Sequence, residues 1–357
     1  MKKLLALAVA GTMAVSLAAC GSSASSAPAS SEATSEAATS AAESAAESAA
    51  ESVTETTQGG KVGVCIYKFD DAFMTTYRNA LQEILEGKGY EVTIVDGNND
   101  QAKQNEQINT FITQGVDALI INPVMTSAAD QIISTVKDAD VPTVLINREP
   151  TADQMSAYDK LVYVGCDAAQ SGTFQGELIL DTENKGDING DGKVSYIMIQ
   201  GDPENVDAQY RTEFSVKALT DAGMEVEELL KQRGDWDQAR AQQIAQDALN
   251  QYGDKIEVIF CNNDAMALGA LQAIEAAGRK VNEDIYLVGV DALTEAVQNV
   301  IDGKQTGTVF NNHFAQAQAA SDIAVKFLSG EKVDAVNMVN YEKVTQDNAQ
   351  EILDMLK

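Results

Sequence analysis

The strongest constraint on the fold is alternation. From Lys61 to Phe310, short apolar runs alternate with stretches whose apolar residues recur at helical spacing. Val62–Tyr67 reads as a strand. Phe73, Tyr77, Ala80, Leu81, Ile84 and Leu85 then mark one helix face, closed off by Gly87 and Gly89. One such series covers residues 62–146 and a second covers 194–310. The second is expected to include strand Glu225–Leu230, helix Trp236–Tyr252 and strand Glu257–Cys261. Alternation of this length predicts the α/β class with parallel sheets, and two series predict two similar lobes.

Polar residues recur just past the strand ends: Asp70 and Asp71, Asn147 and Arg148, Asn263 and Asp264, Asp291, and Asn311. Helix capping explains Asp71, Asp264 and Asp291 as well as a binding role does. The recurrence adds a second reading. Open parallel sheets bind ligands outside the carboxyl ends of their strands, so these side chains would line one cleft.

Composition narrows the chemistry. A net charge of −29 leaves no basic stripe for phosphates, which argues against nucleic acid. A single histidine, His313, argues against histidine-based triads and multi-histidine zinc sites. The lone Trp236 stands between Asp235 and Asp237, an unusual setting for a core residue. Cys65, Cys166 and Cys261 each lie in or beside an apolar run, which suits buried, inert thiols.

At the N-terminus, Lys2 and Lys3 precede an apolar run that ends in Leu17-Ala18-Ala19-Cys20. Residues 1–20 are expected to be a secretory signal of lipoprotein type, with Cys20 lipidated and anchoring the chain to the outer face of the cell membrane. Residues 21–60 are dominated by Ser, Ala, Glu and Thr, with almost nothing large and apolar to bury, and are expected to be a disordered tether.

Asp187-Ile188-Asn189-Gly190-Asp191-Gly192-Lys193-Val194-Ser195 has the oxygen spacing of the first nine positions of an EF-hand loop. A hard cation wants six to eight oxygen ligands. The bidentate Glu of the twelfth position is missing, since that residue is Met198. The remaining charge must come from elsewhere in the fold; an ion-free Asp/Asn/Gly turn fits the same residues.

Several motifs resemble the galactose/glucose-binding members of the bacterial periplasmic sugar-binding protein family. They are Ile66–Phe73, Val141–Pro150, Tyr163-Val164-Gly165, Asn262–Ala267, Gly289–Leu293 and Gly307–Asn311, in that order along residues 61–357. The resemblance implies the type I periplasmic binding protein fold: two Rossmann-like lobes joined by a three-segment hinge. One lobe would be 61–166 with 312–341, the other 167–311 with 342–357.

It also implies roles. Phe73 and Trp236 would sandwich a pyranose ring, whose C–H faces stack on aromatic rings. Asp71, Asp207 and Asp291 would accept from hydroxyls, Arg211 would donate, Asn147, Asn263 and Asn311 would do both, and Asn205 would donate. Asp207 and Arg211 share a helix face one turn apart. Asn205 stands where the family's pattern has His, giving shorter reach. Structural Ca²⁺ would be held by Asp187, Asn189, Asp191, the Lys193 carbonyl and Ser195, completed by Glu257. Glu257 and Asn263 would then be about 20 Å apart along one strand, at about 3.3 Å per residue, serving separate sites.

The implied function is a monomeric, lipid-anchored binding protein, not an enzyme. It would close on a galactose- or glucose-type monosaccharide and deliver it to an ABC permease. A sensor role, reporting to a chemoreceptor or sensor kinase, is the alternative. A glycoside hydrolase using Asp207 and Asp291 is disfavoured by the neighbouring Arg and amides. A repressor is opposed by the secretory signal.

Overall fold

The computed structural model describes residues 59–357, all within one compact unit, Glu55–Lys357. The expected signal peptide, its Cys20 and residues 21–58 of the expected tether lie outside the described residues. No helix among the described residues is long and apolar enough to cross a membrane.

Two parallel sheets organise the chain. The first takes β1 (Lys61–Ile66), β2 (Glu91–Asp96), β3 (Ala118–Ile121), β4 (Thr143–Ile146) and β5 (Leu161–Gly165) from the first half. The second takes β6 (Lys193–Gln200), β7 (Glu225–Arg233), β8 (Val258–Cys261) and β9 (Tyr286–Val288). β10 (Thr308–Phe310) follows β9 through isolated parallel bridges and pairs antiparallel with β12 (Glu342–Val344). β11 (Val336–Met338) returns to the first sheet beside β5. The sheet orders are β11-β5-β4-β3-β1-β2 and β7-β6-β8-β9. Strand order reverses around β1 in one and around β6 in the other, which opens a crevice at the carboxyl ends of each sheet.

The helices are α1 (Ala72–Gly87), α2 (Gln101–Gln114), α3 (Ala129–Asp138), α4 (Ala152–Met155), α5 (Ala168–Leu180) and α6 (Val206–Asp221). They continue with α7 (Gln238–Tyr252), α8 (Asp264–Ala276), α9 (Thr294–Ile301), α10 (His313–Leu328) and α11 (Ala349–Met355). The chain passes between the two sheets three times: from β5 to α5, from β10 to α10, which packs on α1, and from β11 to β12.

Helices cover both faces of each sheet, so both sides of a central strand are apolar. In β1, Val62, Val64 and Ile66 enter the core beneath α1 and α10, whereas Cys65 enters the opposite one with Ile108, Phe111 and Ile132. In β6, Ile197 and Ile199 pack with Met266 and Ala270, while Tyr196 and Met198 pack with Leu178 and Phe260. Cys65, Cys166 and Cys261 are free and buried, and burial pushes the Cys65 thiol up to about 12.

Three element boundaries correct the sequence reading. Trp236 lies outside α7, because Asp235 and Trp236 adopt φ of 55° and 64°, which a right-handed helix cannot contain. β7 runs on to Arg233, held by β6 through polar residues that give no apolar signal. Glu257 precedes β8, although its backbone still bonds the Ser195 carbonyl and the Tyr286 amide. The sequence pattern also passes over α5, which contains Gly172 and Gly176. A Cβ at Gly176 would lie 2.4 Å from the Ser215 carbonyl, so these glycines let α5 approach α6 closely.

Candidate functional site

The carboxyl ends of the two sheets face one pocket of about 350 Å³, counting its opening to solvent. Its walls include all ten residues expected to bind ligand: Asp71, Phe73, Asn147, Asn205, Asp207, Arg211, Trp236, Asn263, Asp291 and Asn311. Tyr67, Met74 and Arg148 complete it.

Helix starts set several of these side chains. Asp71 caps α1, accepting from the Met74 amide at 2.7 Å through Oδ1, while its Oδ2 accepts from the Tyr67 hydroxyl at 2.5 Å. Asn205 caps α6 through the Asp207 amide, and Asn263 caps α8 through the Met266 amide. Capping and pocket lining are thus one arrangement for these three residues. Asp291 caps nothing: α9 begins after Leu293. Asp264 does not cap α8 either and lies behind the pocket wall.

Asn147 sits in left-handed backbone at φ 65°. Its Oδ1 accepts from the buried Asn122 amide at 3.2 Å, which leaves its own amide group for the pocket. Asn311 donates to Asp291 Oδ1 at 3.2 Å and accepts from Gln316 at 2.6 Å. Trp236 lies over Gly201, where an added Cβ would come within 2.3 Å of the indole. Contacts of Arg233 and Arg240 with Asp235 hold that turn. Phe73 meets Tyr77 and His313 edge-on.

The charges are buried and only partly paired. Burial pushes the carboxyls of Asp207 and Asp291 above the usual range, and Arg211 opposes both shifts. Arg211 Nη1 stands 4.0 Å from Asp291 Oδ1. Burial works against the Arg211 charge, yet Tyr341, Asp207 and Asp291 outweigh it and hold the group protonated. Arg148 is 4% exposed and lies 4.3 Å over the Tyr67 ring, and its Nε has no hydrogen-bond partner. In the sequence Arg148 stands beside a strand end with nothing further to mark a role. Tyr67 and Met74 fall inside apolar or helical runs and carry no separate signal.

At the far end of β8, Glu257 is 1% exposed and reaches the Asp187 loop. Its carboxylate accepts from the Asn189 amide at 2.9 Å and the Ser195 amide at 2.8 Å. Asp187 accepts from the amides of Gly190, Asp191 and Gly192. Among the described residues, no three His, Cys, Asp or Glu side chains converge closely enough to hold a metal ion. The donor chemistry nevertheless suits a hard cation, since the buried Glu257 carboxylate meets only two neutral amides.

Residues 62–332 match the model of the periplasmic binding protein domain. The chain belongs to the periplasmic sugar-binding protein family. It is 35% identical over 307 residues to the D-galactose/methyl-galactoside binding periplasmic protein MglB of Haemophilus influenzae, covering 82% of this chain and 92% of that protein. A putative rhizopine-binding protein of Rhizobium meliloti is 32% identical over 293 residues, covering 81% and 91%. Among solved structures, an ABC transporter solute-binding protein of Bacillus halodurans with bound myo-inositol superimposes with a TM-score of 0.73 at 30% identity, covering 83% of this chain and 98% of that one. Family members are substrate-binding proteins of ABC transporters and not enzymes, and they act outside the cytoplasm. The two-lobed α/β architecture follows the same family.

Proposed function

We propose that this protein is a lipid-anchored binding protein for a galactose- or glucose-type monosaccharide, which it delivers to an ABC permease. The observation that carries this reading is one pocket that combines the aromatic rings of Phe73 and Trp236 with three carboxylates, four carboxamides and two guanidinium groups. Aromatic faces suit the C–H faces of a sugar ring, and ionised planar groups suit its hydroxyls. The 35% identical relative named for D-galactose and methyl-galactoside supports the same ligand class.

Tyr67, Asp71, Phe73, Met74, Asn147 and Arg148 come from the β1–α1 junction and the β4 end, and the other lining residues come from the second sheet's side. A ligand touching both sides stabilises the closed state over the open one, which a permease can recognise. Cys20 would tether the chain to the membrane. In the Asp187 loop, Asp187, Asn189, Asp191, the Lys193 carbonyl, Ser195 and Glu257 would hold Ca²⁺, which would neutralise Glu257 and brace the start of β8.

The test uses the lone Trp236 as reporter. Its fluorescence and calorimetric heat are followed on titration with galactose, glucose, ribose and myo-inositol. Saturable binding is expected for galactose or glucose, tighter than for the other two. No saturable signal with either hexose overturns the reading.

A further inference from the structure

We propose that Asp264 is a positioning residue for the ligand, its carboxylate tying together the three chain segments that carry Asn263, Asp291 and Asn311. This rests on the sugar-binding reading of the pocket. Asp264 is the first residue of α8 and is fully buried. A carboxylate there would ordinarily serve its own helix, yet Asn263 already takes the Met266 amide. Asp264 instead reaches sideways. Its Oδ1 accepts from the Thr308 hydroxyl at 2.7 Å and from Gln305 Nε2 at 3.2 Å, and its Oδ2 accepts from the Leu293 amide at 3.0 Å. Its own amide donates to the Val290 carbonyl at 2.7 Å.

These bonds reach the segments that carry the pocket residues. Val290 and Leu293 bracket Asp291 and Ala292, whose φ values of 120° and 55° are unfavourable for side-chain-bearing residues. Asp264 therefore clamps both ends of a strained turn that swings the Asp291 carboxylate back toward Arg211 and Asn311. Thr308 opens β10, which leads into Asn311. Asn263 is the adjoining residue of Asp264 itself. The surroundings are shaped for this carboxylate: a Cβ at Gly289 would lie 2.1 Å from Oδ1. All the groups donating to the carboxylate are neutral, so a buried charge is held by geometry alone.

The test compares the full chain with Asp264→Asn, Asp291→Asn and the double variant, by calorimetry with the tightest hexose and by hydrogen exchange at the Leu293 amide. Asp264→Asn cannot accept from both Leu293 and Thr308. It should weaken binding at least tenfold and deprotect Leu293 without ligand, and its added effect should shrink below threefold in the Asp291→Asn background. Thr308→Val, which cuts one tie, should weaken binding at least threefold, and Thr308→Ser should restore it. Asp264→Asn affinity within threefold of the parent overturns the proposal, as does an equal loss in both backgrounds. Should Asp264→Asn not fold, unchanged affinity in Thr308→Val overturns it. If the parent chain binds no hexose, the sugar-binding reading fails. Exchange at Leu293 still judges the tie: unchanged protection in Asp264→Asn overturns it.

Discussion

Arg211 donates through Nη2 to the hydroxyl of Tyr341 at 3.0 Å, joining the pocket wall to the stretch between β11 and β12 where the chain makes its third passage. Nε and Nη1 are also engaged, by Ser171 Oγ at 3.2 Å and the Asn262 carbonyl at 2.9 Å. The guanidinium is therefore set before a ligand arrives, which lowers the ordering cost of binding. Tyr341→Phe removes one of three supports. Loss of a hydrogen bond to a charged group costs about 1.5 kcal/mol, roughly tenfold in affinity, which calorimetry would read directly.

Arg148 poses the opposite case. It is buried, makes no ion pair with any described residue, and has an unpartnered Nε. A buried charge held by a ring face and without a hydrogen-bonded or ion-paired partner is weakly compensated in the empty protein and gains when a ligand supplies acceptors. Arg148→Met should leave the ligand-free melting temperature unchanged or higher. Hexose affinity should fall by roughly tenfold or more, about 1.5–3 kcal/mol. Melting curves with and without sugar would separate these effects, and undiminished affinity would count against a ligand-facing role.

For the Asp187 loop, the decisive variant is Glu257→Gln. The amide would keep one acceptor for the Asn189 and Ser195 amides and turn a donor toward the other. That costs about 1–3 kcal/mol even without calcium. The parent should melt higher in calcium than in chelator, and the variant should lose that increment while its sugar selectivity stays unchanged. An equal calcium response in parent and variant would rule Glu257 out as a ligand.

His313, against Phe314 and edge-on to Phe73, gives a pH prediction. Burial pushes its pKa down from 6.5 to about 4. Between these values the unfolded chain binds a proton that the folded chain refuses, so this residue's contribution to stability falls as pH drops from about 6.5 to about 4. Asp264 works oppositely: burial lifts it to about 6, so its contribution rises as pH drops from about 6 toward 4. The difference in melting temperature between parent and His313→Gln isolates the first effect. It should shift in the variant's favour on acidification through that window; a difference that does not change with pH would refute it.

Much of the site was legible because its residues follow strand ends, where polar side chains interrupt apolar runs. Asp71, Asn147, Asn263, Asp291 and Asn311 all carry that signal. Phe73, Asn205, Asp207 and Arg211 needed the family resemblance, since on composition and periodicity alone each fits an ordinary helix face or cap; the lone Trp236 stood out between two Asp residues, but its role came only with the resemblance. Arg148 was visible at a strand end, but its lack of a partner is a property of the packed pocket. In the sequence Asp264 fits either helix capping or cleft lining. Its actual partners, Thr308 and Leu293, lie 44 and 29 residues away in sequence.

By itself the amino-acid order determined the alternation of strands and helices, the two-lobed α/β class, and the residue types waiting at the strand ends. These follow from backbone periodicity and capping chemistry, which act over a few neighbouring residues. Only the tertiary structure decided which of those ends meet. Arg211 and Tyr341 are separated by 130 residues, and Glu257 lies 68 residues from the loop amide it bonds. Such pairings depend on how two sheets and three chain passages pack. Burial then settles which carboxylates share a guanidinium and which, like Asp264, are held by neutral donors alone.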